Sequence, residues 1–207
     1  MKGLKWTKVV YVWLLAMVAI GSVGQRGASA AEISSPSKAY FAGGCFWCME
    51  EAFEKVDGVL EAVSGYMGGN VKAPSYEEVS SGRTGHAESV EVRYDPSKVS
   101  YTQLLEAFWK NVDPITPNAQ FCDHGTQYRA VIFYGNDEEK RRAEDSKRGI
   151  EQSKRFTSPI VTQIVAATEF FPAEEYHQDF YKKNPIRYKY YKFSCGRAQR
   201  LASLWGS

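Results

Sequence analysis

The 207-residue chain holds only four cysteines and three histidines. Four cysteines are too few for a disulfide-built miniprotein. With a single CxxC and no paired histidine spacing, a zinc site has little support. Charge of either sign is also scarce in net terms, with 26 bases against 24 acids. Residues 1–30 carry Lys2, Lys5, Lys8 and Arg26 and no acid, so the remainder has 22 bases against 24 acids. That balance gives no support for nucleic-acid binding, which needs a basic surface. Long apolar runs are missing too. Val9 to Ile20 is twelve residues, roughly 18 Å as a helix against a ~30 Å hydrocarbon core. There are no internal repeats and no low-complexity tract.

What is present is a globular composition, 43% apolar and 14% aromatic. The first thirty residues follow the order of a secretory signal peptide: a basic start, the apolar run, then small residues ending in Ala28-Ser29-Ala30. Cleavage after Ala30 is expected, leaving a single domain over 31–207 that is exported to the periplasm or secreted. It carries no stable membrane insertion and is expected to be a monomer. An oxidising destination makes cysteines either pair or do redox chemistry.

Along the remaining chain, strands are expected at 39–42, 59–67, 86–94, 128–134 and 160–168. Phe46, Met49, Phe53 and Val56 mark one face of a helix that starts after Gly43-Gly44. Ser100 and Gln103 form a capping box for a second helix with Leu104, Leu105, Phe108 and Val112 on its apolar face. A helical turn is expected at 76–79, a charged solvated helix at 137–154 and another helix at 173–183. From Asn184 the chain reads as an aromatic-rich tail wrapping the body. Strands and helices mix without strict alternation, which predicts an α+β domain, a mixed sheet covered by helices.

Cys45 sits where the first strand gives way to a helix. Free amide N–H groups and the helix dipole favour a thiolate there, making Cys45 a candidate nucleophile; a disulfide or buried thiol is the alternative. Phe46 and Trp47 beside it suggest an apolar pocket wall. Cys45 and Cys48 also fit a CxxC thiol–disulfide oxidoreductase, although the aromatics lie between the cysteines. In the strand 86–94, Val90, Val92 and Tyr94 mark the even positions as buried, so Glu88 points inward. There it is either a carboxylic acid with raised pKa, suited to proton donation, or the partner of Arg83 or Arg129. Asp123 to Arg129 adds a carboxylate and the Tyr128 phenol at one sheet edge, and Tyr76 lies in another loop.

Gly44-Cys45-Phe46-Trp47, Gly85-His86-Ala87-Glu88 and Asp123-His124-Gly125-Thr126-Gln127-Tyr128-Arg129, in that order, resemble peptide methionine sulfoxide reductase, type A. Tyr76-Glu77-Glu78-Val79, Asn184-Pro185 and Cys195-Gly196-Arg197 fit as well. The resemblance spans about 38–205. It implies a two-layer fold related to the ferredoxin-like type and reduction of methionine-S-sulfoxide, free or in proteins, as a repair of oxidative damage. Cys45 is then the nucleophile and Glu88 the acid. Tyr76 and Tyr128 bind the sulfoxide oxygen with support from Asp123, and Phe46 and Trp47 hold the methyl group. A Cys45 sulfenic acid would be resolved by Cys195 as a Cys45–Cys195 disulfide. The resemblance further implies a thioredoxin-type dithiol as reductant and no bound cofactor or metal.

Overall fold

A computed structural model of the chain describes residues 35–206. The expected signal peptide lies outside the described residues. In chain order the elements are β1 (Ser37–Gly43), α1 (Phe46–Glu54), β2 (Val59–Met67), α2 (Tyr76–Ser80), β3 (Ala87–Tyr94), α3 (Tyr101–Lys110), β4 (Ala119–Gln120), β5 (Asp123–His124), β6 (Ala130–Tyr134), α4 (Asp137–Gln152), β7 (Gln163–Ala166), β8 (Phe171–Pro172), α5 (Phe180–Lys183), α6 (Pro185–Ser194) and α7 (Arg197–Trp205). The main sheet runs β7-β6-β1-β3-β2-β8, and β4 and β5 form a separate hairpin. Only the β6–β7 pair is parallel, so the sheet is mixed as expected. β6-β1-β3-β2, with α1 after β1 and α3 after β3, is the βαββαβ order of a ferredoxin-like core.

Register explains where the core sits. Phe41 lies opposite Val90 on β3 and Ile132 on β6, and all three are fully buried. The Phe41 ring stacks on Phe53 of α1 at 4.8 Å and on Phe108 of α3 at 5.4 Å. Leu104, Leu105 and Phe108 are fully buried, and both capping-box hydrogen bonds of Ser100 and Gln103 are formed. The opposite face of the sheet has a smaller cluster of Ala42, Met67, Ala87, Val131 and Phe133. The charged helix α4 buries Ala143 alone, as a solvated face should.

Several elements differ from expectation, and the strand expected over 160–168 is confined to Gln163–Ala166. The strand expected at 128 begins at Ala130, because Thr126–Tyr128 forms a 3₁₀ turn. The helix expected over 173–183 is a 3₁₀ turn at Glu175–His177 followed by the four-residue α5. The tail is not an irregular wrap but two helices. Pro185 opens α6, and Tyr188, Tyr191 and Lys192 recur at helical spacing on the side that meets α1. Among the described residues no helix is long and apolar enough to cross a membrane.

Candidate active site

The β1–α1 corner positions Cys45, the candidate nucleophile. Gly43 and Gly44 let the chain turn where side chains do not fit. A Cβ on Gly43 would meet Met49 Sδ at 2.6 Å, and one on Gly44, at φ +81°, would meet Gln120 Cβ at 2.4 Å. Cys45 follows as the N-cap of α1, with extended backbone and 6% exposure. The Phe46 N–H, one of the free amides of the first helical turn, donates to Glu88 Oε2 at 3.0 Å. β3 thereby brings the inward carboxyl group to the residue beside the thiol.

Glu88 is 3% exposed. Neither arginine weighed as its partner pairs with it. Arg129 donates to the carbonyls of Thr126 and Gly85, and Arg83 to Ser81 Oγ. Burial pushes Glu88 up to about 8, against which the Phe46 amide acts only partly. At neutral pH it is a neutral acid.

The thiols differ from the expected pattern. Burial pushes the Cys45 thiol up, rather than the helix start pulling it down. The first-turn amide of Phe46 is engaged by Glu88 and not by the sulfur. Cys45 hydrogen-bonds to Cys48, and Cys48 is the one carried down, to about 6, by that bond and then by the charge of Arg197 against its own burial. A thiolate at neutral pH therefore belongs to the pair, held mainly at Cys48.

Cys45, Phe46, Trp47, Tyr76, Glu88, Asp123, Tyr128 and Tyr191 line one cavity of about 80 Å³. That is far below the ~300 Å³ of a typical small-molecule pocket, and suits a single small polar group carrying a methyl. Trp47 stacks on Phe180 at 3.8 Å, and its indole N–H donates to His177 Nδ1 at 3.2 Å. Tyr76 is seated by Glu174, which accepts from its backbone N–H at 2.8 Å. Burial raises the Tyr76 phenol to about 12, and raises Tyr128 and Tyr191 further. All three are neutral hydrogen-bond donors. Burial also raises Asp123, which accepts from Tyr191 Oη at 2.6 Å.

Of the site residues that the resemblance implies, Cys195 is absent from this lining, and so is Cys48 of the CxxC pair. The expected Cys45–Cys195 bond is not the one found: Cys195 is bonded to Cys122, 73 residues away, and Cys45 and Cys48 are free buried thiols. The geometry favours this because Cys195 caps the end of α6 beside the β4–β5 hairpin. Sequence reasoning missed Tyr191, whose only signal was the aromatic richness of the tail, and His177, which precedes that tail and carried no signal, and it left the role of Cys48 open.

Two hydrogen-bonded thiols and a protonated carboxyl group beside a small aromatic pocket fit a thiol-dependent reductase acting on an oxygen-bearing group. Comparison with known proteins narrows the class. The family profile "Peptide methionine sulfoxide reductase" matches residues 37–207. The chain is 48% identical over 171 residues to "Peptide methionine sulfoxide reductase MsrA" of Listeria innocua, covering 83% of this chain and 97% of that one. It is equally 48% identical over 169 residues to the protein of that name from Bacillus subtilis, covering 82% and 96%. The reduced form of Mxr1 from Saccharomyces cerevisiae superposes with a TM-score of 0.68 at 32% identity, covering 72% of this chain and 86% of that one. The chain belongs to the peptide methionine sulfoxide reductase family, type A, and is a peptide-methionine (S)-S-oxide reductase.

Proposed function

We propose that Cys45 is the nucleophile and Glu88 the acid of this reaction, and that Cys48 is the first resolving thiol. The Cys45 sulfur bonds to the sulfoxide sulfur as its proton passes to the Cys48 thiolate. Glu88 protonates the sulfoxide oxygen, which Tyr76 and Tyr128 receive through neutral hydrogen bonds. Asp123 supports that end of the site, and Phe46 and Trp47 enclose the methyl group. The hydroxyl then passes from the substrate sulfur to the Cys45 sulfur as the bond between the two sulfurs breaks, so methionine leaves and Cys45 holds the oxygen as a sulfenic acid. Condensation with the Cys48 thiol releases water and leaves a Cys45–Cys48 disulfide. Because Cys45 is an N-cap and not yet helical, that bond does not require the first turn of α1 to unwind. A thioredoxin-type dithiol resets the pair by exchange. The observation that carries the reading is a carboxyl group neutral to about pH 8, with no cation beside it, across a small pocket from a thiol.

The composition of residues 1–30 supports export, so the substrates are oxidised proteins and free methionine sulfoxide outside the cytoplasm, periplasmic or secreted. The amino-terminal sequence of protein recovered outside the cytoplasm should begin at Ala31; protein confined to the cytoplasm with Met1 retained would overturn this part. For the chemistry, reduced protein is supplied with dithiothreitol and separated S and R epimers of a methionine sulfoxide. The S epimer should be consumed selectively, with loss of turnover in Cys45→Ser and a fall of about 10²–10⁴ in Glu88→Gln. No turnover of either epimer by the wild type would overturn the assignment and favour simple disulfide exchange by Cys45 and Cys48. That rival predicts no effect of Glu88→Gln.

A further inference from the structure

The Cys122–Cys195 disulfide is joined by covalent neighbours to two walls of the pocket. Cys122 precedes Asp123, and Cys195 lies one helical turn past Tyr191, whose carbonyl accepts the Cys195 N–H at 2.9 Å. Asp123 and Tyr191 are themselves bonded at 2.6 Å, and Tyr191 also reaches the Cys45 sulfur. The crosslink therefore closes a short ring: Cys122, Asp123, Tyr191, the last turn of α6, Cys195. The loop holding Cys122 is unrelaxed. Asn118 and Phe121 adopt positive φ of 50° and 58°, a conformation that side-chain-bearing residues keep only when surroundings impose it. Two contacts impose it from the tail: the disulfide, and the Arg197 guanidinium 4.3 Å over the Phe121 ring. Cys122 is exposed, whereas Cys45 and Cys48 are buried. An external dithiol meets the outer bond first.

We propose that the Cys122–Cys195 disulfide is a positioning element of the pocket. It holds Asp123 and Tyr191 against each other beside Cys45, and its reduction loosens that wall and weakens sulfoxide binding. The proposal rests on the reductase reading above. The opening step is an exchange in which a dithiol becomes a disulfide and Cys122 and Cys195 each gain a hydrogen. Both cysteines act through Asp123 and Tyr191, not on the substrate.

The test compares wild type, with the outer bond closed and two free thiols by count, with Cys122→Ser/Cys195→Ser. Methionine formed in a single turnover without reductant is measured against sulfoxide concentration. Separately, the rate of iodoacetamide alkylation at Cys45 is followed by peptide mass. The double variant should need roughly tenfold more sulfoxide for half-maximal rate, and Cys45 should alkylate roughly tenfold faster, about the loss of one hydrogen bond to a charged group. Wild type with only the outer bond reduced should match the variant, which guards against misfolding of the variant. Equal half-saturation and equal alkylation in closed and opened wild type would overturn the proposal. If no protein forms methionine, the reductase reading falls, and the alkylation rate still decides whether the bond holds this wall.

Discussion

A carboxyl group 3% exposed, with one backbone amide as its donor, holds its proton to about pH 8. Its inward direction was legible from the alternation of Val90, Val92 and Tyr94. Its lack of a cationic partner was not, because the actual partners of Arg83 and Arg129 are loop groups that only the fold reveals. The raised value has a sign that can be checked. From the ordinary value near 4.5 up to about 8, the native state keeps a proton that the unfolded chain releases. Glu88 therefore contributes falling stability as pH rises through that window. Glu88→Gln stays neutral throughout, so the wild-type Tm should drop relative to the variant between pH 5 and 8.5. Each kcal/mol of divergence amounts to about 2–4 °C for a chain of this size. The single-turnover rate of the wild type should fall above pH 8 by about tenfold per unit. A flat alkaline limb would remove Glu88 from the acid's role.

Elements built by local signals were legible, and those built by distant partners were not. α1 and α3 announced themselves through apolar spacing, and α3 also through the Ser100 and Gln103 residues that do form its cap. The two-residue strands β4, β5 and β8 carry no periodicity; β8 exists because Phe171 and Pro172 pair with Tyr66 and Gly65 of β2. The β1–α1 corner falls between these cases: Gly43-Gly44 signalled a break, but only the fold shows what presses on it. Gly44→Ala puts a Cβ 2.4 Å from Gln120 Cβ at a backbone angle hostile to side chains. It should cost about 1–3 kcal/mol and displace Cys45. Gly149 in α4 has open space around its Cβ position, so Gly149→Ala should instead stabilise by about 0.5–1 kcal/mol. Thermal melts of the two variants should move in opposite directions, with activity lost only in Gly44→Ala.

At the scale of the whole molecule, the helix that Cys45 caps also holds the chain's far end. Glu51 of α1 accepts from Tyr188 Oη at 2.6 Å and pairs with Lys192 of α6, while Lys55 binds its other oxygen at 2.7 Å. These partners lie 137 and 141 residues away from Glu51. Of these contacts only the Glu51–Lys55 pair, at i,i+4, is local, so the docking was out of reach of local reading. α7 continues the attachment, with Trp205 Nε1 donating to the Val112 carbonyl at 3.0 Å and Arg200 paired with Asp113 at 2.7 Å. The docking matters for the site because α6 brings Tyr191 to Cys45. Partial burial works to raise Glu51, but the bonds from Lys192, Lys55 and Tyr188 carry it down to about 2. A lowered carboxylate stabilises the fold above its unfolded value and loses that contribution as pH falls toward 2. Glu51→Gln should therefore melt lower than wild type at pH 6 and converge with it at pH 2–3. At pH 7 it should raise the half-saturating sulfoxide concentration, because α6 then holds Tyr191 less firmly. Melting curves parallel across the acid range, with unchanged half-saturation, would mean that α6 is held by the apolar packing of its Tyr188 and Tyr191 with Cys48 and Phe180 and not through Glu51.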